Sequence, residues 1–335
     1  MAEQAIRIAG AAPATAAVVP KGNGRSSWLL PFGLVVAAMA VWPLLVRQPY
    51  IINVGANCCF FAIGASSLHL IIRTGHVSLG HAAFLGIGAY TTVLLFTKAG
   101  WPYPLALASG VAAAGGAALI IGPIILRLTG KYFVLVTFLL GELIRMVFVE
   151  WISLTGGAQG ITQIPPPYPI FSSQLAYYYL ALGTAALVVA FVIRLLNSEI
   201  GRAMDAMRQS PSLTECAGVP VVRFKVMIFA IACALVGLQG GLQAPFLRTI
   251  EPLTYGPLES LNMVVMNVIG GMTNIVGPLL GTVFLVVLPE LLRDYVLMQR
   301  IFFGICLIVV MAVLPGGIVE LWGRVRYLLL GRKES

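Results

Sequence analysis

Charge is the scarcest property of this sequence. Only 10% of its 335 residues are Asp, Glu, Lys or Arg, against roughly 25% in a soluble domain. That shortage excludes an ordinary water-soluble globule. Histidine is nearly missing as well. His69, His76 and His81 are the full complement, and no cysteine or carboxylate stands at a spacing that would complete a metal site with them. Of the five cysteines, Cys58, Cys59, Cys216, Cys233 and Cys306, four lie in apolar runs. They read as small packing residues and imply no disulfide framework. Machinery for hydrolysing nucleotides is also lacking: Gly130-Lys131 is followed by Tyr132, where a phosphate-cradling loop needs Ser or Thr. No nucleophile elbow or zinc-protease helix occurs, so no catalytic set is assigned. The alternation of a membrane barrel is not visible either.

What is present is apolar. The chain is 59% hydrophobic with mean hydropathy +0.95, and runs of about 18 residues or more, each able to cross a core roughly 30 Å thick, recur along it. Backbone polar groups must be satisfied internally there, which demands helices. The reading is an all-α polytopic membrane protein of about ten spans: 28–46, 50–72, 81–97, 103–126, 132–151, 175–196, 224–245, 257–272, 276–292 and 301–319. The eighth is short, so it and the ninth suit half-helices or a re-entrant pair. Residues 1–27, rich in Ala, Pro and Gly, form a disordered leader retained on the chain; 28–320 form the membrane domain and 321–335 a tail. With both termini inside, fifteen Lys and Arg fall on the cytoplasmic side and five outside, which leaves Arg145 inside the membrane. This agrees with the positive-inside rule. The net charge of +9 belongs to these span ends, and no nucleic-acid partner is implied.

Two loops interrupt the pattern. The outer loop 152–174 carries TGGAQG and a triple proline and reads as stiff, turn-rich and non-helical. The inner loop 197–223 is the longest hydrophilic stretch between spans. There a helix begins after Ser198 and yields before Pro211. Ser212-Leu213-Thr214-Glu215 reads as a capping box opening a second, and Gly218 with Pro220 closes it. Two short helices lying on the cytoplasmic face are suited to docking. A faint internal echo relates 75–80 to 271–277, weaker than the inverted repeats of some transporters.

The segment 75–90, GHVSLGHAAFLGIGAY, mixes His76, Ser78 and His81 with closely spaced glycines where one span stops and the next starts. Either these groups line a polar passage, or the histidines tie down irregular backbone at the break. Glu142 and Arg145 lie one turn apart inside the fifth span. A charge at mid-bilayer costs about 2.5–3.5 kcal/mol, and three-residue spacing lets the two pair on one face. They face a polar pathway or a partner subunit, or they form an internal tether. Asn57 and Asn267 are further polar groups within spans. Gly237 with Gly241, and Gly277 with Gly281, have the spacing of close helix approach.

Four blocks taken together resemble the membrane subunit of a branched-chain amino acid ABC importer of the LivM type: GHVSLGHAAFLGIGAY at 75–90, GKYFVLVTFLLGELIRMV at 130–147, LTGGAQGI at 154–161, and GRAMDAMRQSPSLTECAGVPVVRFK at 201–225. Their order and spacing are as in that family, over about 50–319. The resemblance implies an ABC importer permease fold in a bacterial inner membrane. It also implies a homologous LivH-type permease partner, two cytoplasmic ATPases that bind ATP and Mg, and a periplasmic binding protein. This chain itself would be no enzyme and bind no cofactor. Arg208, Leu213, Thr214, Glu215 and Gly218 match the segment that seats on the ATPase; Gln209-Ser210-Pro211-Ser212 stands where acidic residues are usual. Substrates implied are leucine, isoleucine and valine, with urea, amides or aromatic acids as those of similar permeases. An ion-coupled secondary transporter is the competing class, for which Glu142 and Arg145 would serve.

Overall fold

The computed structural model describes residues 29–45, 48–291, 304 and 317–319. Eleven α-helices are named here among the described residues: α1 (Leu29–Leu45), α2 (Pro49–Arg73), α3 (His81–Thr97), α4 (Tyr103–Ile125), α5 (Lys131–Glu150), α6 (Gln174–Leu196), α7 (Glu199–Gln209), α8 (Pro211–Cys216), α9 (Val221–Leu247), α10 (Pro257–Gly270) and α11 (Val276–Leu291). The first nine expected spans correspond to α1–α6 and α9–α11, with ends displaced by a few residues at most. Five of them, α2, α4, α5, α6 and α9, are long and apolar enough to cross a membrane by themselves. The leader 1–27, the tail 321–335 and most of the span 301–319 lie outside the described residues; 304 and 317–319 are helical.

The bundle is built around α9, which packs along α4, α3 and α2. Close approach is set by glycine. A Cβ at Gly88 of α3 would overlap the backbone of Gly237 in α9, and one on Gly237 itself would stand 2.5 Å from the Ala114 Cβ of α4. The GxxxG pairs are thus packing devices, as their spacing indicates. Phe84 meets Phe229 edge-to-face at 5.5 Å, and Phe60 meets Phe246 at 5.4 Å. On the far side of α2 lie α6, with α1 against it, and the α10–α11 hairpin. In that hairpin a Cβ on Gly281 would overlap the Met266 carbonyl. At 14 and 16 residues these two helices are about 21 and 24 Å long, shorter than a bilayer core.

Four described prolines sit inside helices, Pro43, Pro123, Pro245 and Pro289, and at Pro43 and Pro245 the lost hydrogen bond is made good from another helix. Pro245 cannot donate to the carbonyl four residues back, that of Gly241; the Tyr103 hydroxyl donates there instead, at 3.0 Å, and Tyr177 donates to Leu242 O at 2.7 Å. Pro43 similarly frees the carbonyl of Met39, which accepts from Tyr178 at 2.7 Å, while Tyr179 donates to Ala40 O at 3.1 Å. In an apolar core an unpaired carbonyl costs several kcal/mol, so these tyrosines make Pro43 and Pro245 tolerable.

The loop 152–174 differs from its expected non-helical form. It holds one α-turn (Ile152–Thr155) and two 3-10 turns (Gly157–Gln159 and Pro169–Ser172). Its two-residue strand β1 (Ile161–Thr162) pairs antiparallel with β2 (Thr249–Ile250) beyond the end of α9. Lys98 donates to the carbonyls of Ser153 and Leu154 at 3.2 and 2.9 Å, completing that turn as a C-terminal cation does. TGGAQG is therefore a run of tight backbone turns. Gly156, Gly157 and Gly160 all have positive φ, and a Cβ at Gly160 would overlap the Ile250 carbonyl.

Candidate functional site

The expected site residues fall into three places. The first is the end of the bundle that carries α7 and α8. Ser198 caps α7, its hydroxyl accepting from Ile200 N at 3.2 Å. Gly201, Met204 and Met207 recur at helical spacing and are buried against α6 and α2, so α7 lies as a shelf across the helix ends. After one residue, Ser210, the chain enters α8. The capping box expected at 212–215 is not what opens this helix. Ser210 is the cap, accepting from Leu213 N at 3.5 Å; Pro211 occupies the first turn, and the Thr214 hydroxyl bonds back to Ser210 O at 2.9 Å. Proline's fixed φ suits that first position, which draws the helix start two residues earlier. At the other end Gly218 adopts φ +88° and donates to Glu215 O at 2.9 Å, the expected close. Within α8 only Thr214 is buried; Leu213 is 71% exposed. Arg208, Glu215 and Gly218 are exposed too, and Glu215, Gly218 and Arg223 border a shallow cleft of about 390 Å³.

The second place is a buried polar seam between α2, α3 and α10. Asn267 on α10 donates to Ala65 O and Met263 O at 3.0 and 2.9 Å, so its Oδ1 faces His69 Nδ1, 3.2 Å away. A carboxamide oxygen only accepts, which puts the His69 proton on Nδ1. Ser67 donates to Gly64 O at 2.8 Å and lies 2.7 Å from His81 Nε2, which must then carry the proton. His69 and His81 thus join helices rather than pin the break. The break itself is tied elsewhere. Leu79 N donates to Thr137 Oγ1 of α5 at 3.2 Å, Gly80 N to Ser78 Oγ at 3.4 Å, and His76 Nδ1 lies 3.3 Å from Thr74 O. Burial and the nearby Lys225 ammonium hold the His76 imidazole below its ordinary pKa, and its ring stands edge-on to Phe133 at 4.7 Å. Ser260 of α10 accepts from Ala82 N at 2.8 Å, capping α3 where Gly80 has no side chain to do so. His69 Nε2, His81 Nδ1 and Gln239 Oε1 are buried without a hydrogen-bond partner.

The third place is α5. Arg145 pairs with Glu142 through its Nε at 3.0 Å from both carboxylate oxygens, and through a terminal nitrogen. The pair stands beside Gly256 at the start of α10, where a Cβ would come within 3.1 Å of the Arg145 Cδ. Both side chains are partly exposed. Asn57 belongs to none of these groups. It is half-buried on α2, ten residues before Ser67 and so about 15 Å up the helix.

One junction was missed by sequence reasoning. Arg73, the last residue of α2, forms an ion pair with Asp205 of α7 at 2.5 Å and donates to Thr273 O in the α10–α11 turn at 2.7 Å. The available signal was Asp205 itself, an acid four residues after Gly201 on the buried stripe of an amphipathic helix. Beside this junction an apolar cavity of about 510 Å³ separates α11 from α1 and α6.

The family described as branched-chain amino acid transport system, permease component, matches residues 50–311. The high-affinity branched-chain amino acid transport system permease protein LivM of Salmonella typhimurium is 29% identical over 328 residues, covering 90% of this chain and 76% of that protein. The protein of the same name from Escherichia coli is 28% identical over 316 residues, covering 86% and 74%. A probable branched-chain amino acid transport permease protein LivH of Methanocaldococcus jannaschii is 28% identical over 109 residues, or 32% of this chain and 34% of that protein. No solved structure matches the chain significantly.

Proposed function

The chain belongs to the branched-chain amino acid transport system permease family, and we propose that it is one of two membrane subunits of an ATP-driven importer of leucine, isoleucine and valine. In this reading a LivH-type permease stands beside it in a bacterial inner membrane, a periplasmic binding protein delivers substrate, and two ATPases holding ATP and Mg bind α7 and α8 from the cytoplasm. Both termini are then cytoplasmic. ATP binding closes the ATPases, moves α8, and shifts the permease pair between inward and outward openings. Such a shift is driven only by the difference in interaction between the two states. The chain contributes the path and the docking surface, not the hydrolysis.

The observation that carries this reading is α8. A capped helix of six residues that buries one side chain and presents Leu213 outward is poorly explained as part of the bundle. An apolar side chain offered at the tip of a fixed element is what a partner's groove would take. Ion coupling has less support, because Asn267 and Ser67 in the seam and the Glu142–Arg145 pair on α5 already find partners within the chain.

The test is co-purification of the ATPase with the full-length chain and its permease partner, together with uptake of labelled leucine. Leu213→Asp is expected to lower ATPase recovery at least ten-fold while leaving the membrane level of the chain unchanged. Undiminished recovery removes the docking role. Competition by valine, set against urea and benzoate, decides the substrate class.

A further inference from the structure

Resting on the reading of α8 as the ATPase-docking helix, we propose that Arg73 is the positioning residue through which movement of α7 and α8 reaches the α10–α11 hairpin. Three observations converge on it. One guanidinium serves two elements: one terminal nitrogen is 2.5 Å from Asp205 on α7, and the other 2.7 Å from the Thr273 carbonyl in the hairpin turn. A planar fork fixes two directions at once, which a lysine ammonium does not.

Both elements that Arg73 joins are stiff. Met204 and Met207 of α7 are buried, and a Cβ on Gly201 would overlap the Leu196 carbonyl at the end of α6. Asp205 is therefore carried on a packed helix, and α7 is one residue from α8. In the hairpin a Cβ on Gly270 would overlap the Gly277 carbonyl, and Asn274 accepts from Val276 N at 3.3 Å. A pull at Thr273 is thus carried into both helices. The hairpin meets α2 a second time one turn earlier, where His69 contacts Asn267. His69 and Arg73 lie on one face of α2, four residues apart, and with Ala65 O, which accepts from Asn267, they attach it to α10 and the turn that follows.

The hairpin is held on one side only among the described residues. The cavity of about 510 Å³ is bounded on one side by Leu279, Leu280 and Val283 of α11 and on the other by residues of α1 and α6 such as Val36 and Val189. The cavity is half open, and among the described residues α11 packs on α2 and α10 rather than on α1 and α6. The ion pair is partly open, with the Asp205 side chain 40% exposed. The Arg73 side chain is only 16% exposed, so the pair also helps to hold α2 against α7, and the coupling ratio is what separates a transmission role from a merely structural one.

The experiment uses the assembled transporter in proteoliposomes and reads leucine taken up per ATP hydrolysed, with ATPase recovery measured on the same preparation. Arg73→Gln and Asp205→Asn are each expected to lower that ratio at least three-fold with ATPase recovery unchanged. Arg73→Lys should fall between them and the wild type. Combining Arg73→Gln with Asp205→Asn should add little to either. A wild-type ratio in Arg73→Gln or Asp205→Asn overturns the proposal. Should Arg73→Gln accumulate poorly, Asp205→Asn decides the matter, since it keeps the side-chain volume at a partly exposed position. A second reading places spin labels on Cys216, which is native and exposed, and on Thr273→Cys. The ATP-dependent change in distance between them should differ between wild type and Asp205→Asn; an identical change overturns the proposal as well. Failure of the wild-type chain to recover any ATPase defeats the docking reading and this proposal together. Normal ATPase recovery with a normal ratio in the variants defeats this proposal alone.

Discussion

Tyr103, Tyr177, Tyr178 and Tyr179 do the work of missing backbone donors. Each hydroxyl reaches a carbonyl three or four residues before a proline on a different helix. Removing the hydroxyl should therefore matter only while the proline is there. Tyr103→Phe is expected to lower the thermal stability of the detergent-purified protein by about 1 kcal/mol, within the range measured for hydrogen bonds inside membrane proteins. In a Pro245→Ala background the alanine N–H can meet Gly241 O, and the same tyrosine change should then cost nearly nothing. Equal cost in both backgrounds would show that the tyrosine acts through packing alone. Both prolines and the run Tyr177-Tyr178-Tyr179 stand in plain view in the sequence, yet their pairing could not be read there. Tyr103 and Gly241 are 138 positions apart, and no local rule links them. The same holds for Arg73 with Thr273, separated by 200. Glu142 and Arg145 were legible because their partnership is a matter of helical spacing within one span.

Helices and their ends were the most readable level. The long spans announce themselves by hydropathy, since a membrane permits little else over that length, and Ser198, Gly218 and Pro220 mark boundaries by their own backbone chemistry. Where the reading slipped, two serines competed. Ser210 and Ser212 both satisfy the rule for a helix start, and the choice is made by Pro211 in the first turn and by the Thr214 hydroxyl bonding back to Ser210 O. Gly218 allows a direct test of the second boundary. A Cβ there meets nothing within 4 Å, so the cost of a side chain is conformational: about 1–2 kcal/mol for a left-handed residue other than glycine, less for asparagine. Gly218→Val should displace the link between α8 and α9 and lower leucine uptake several-fold, whereas Gly218→Asn should stay near wild type. The check is uptake normalised to the membrane level of each variant. Equal uptake by the two would show that the turn's conformation does not matter to coupling.

At the scale of the whole molecule, α5 is the span least at home in a single subunit. Its apolar side chains Leu135, Leu139, Leu143 and Met146 are exposed, and it touches the bundle chiefly through α3 and the 3-10 turn Pro252–Tyr255. Lipid would accept those leucines. It would not readily accept Glu142 and Arg145, which lie near mid-helix on the same element with both side chains partly open, because a charge at that depth costs about 2.5–3.5 kcal/mol even on insertion scales. Pairing offsets part of that cost and leaves the outer edges of both groups to be covered. A second permease subunit supplies both an apolar face and polar partners, so α5 is expected to lie at or beside the contact between the two membrane subunits. A photo-crosslinking residue at Leu139 or Leu143 should then capture the co-expressed LivH-type subunit. The same residue at Leu187 of α6, which is more open still in the single chain, should capture lipid. Capture of the partner from Leu187 and not from α5 would turn the assembly round and leave the Glu142–Arg145 pair to be explained by water in the path instead.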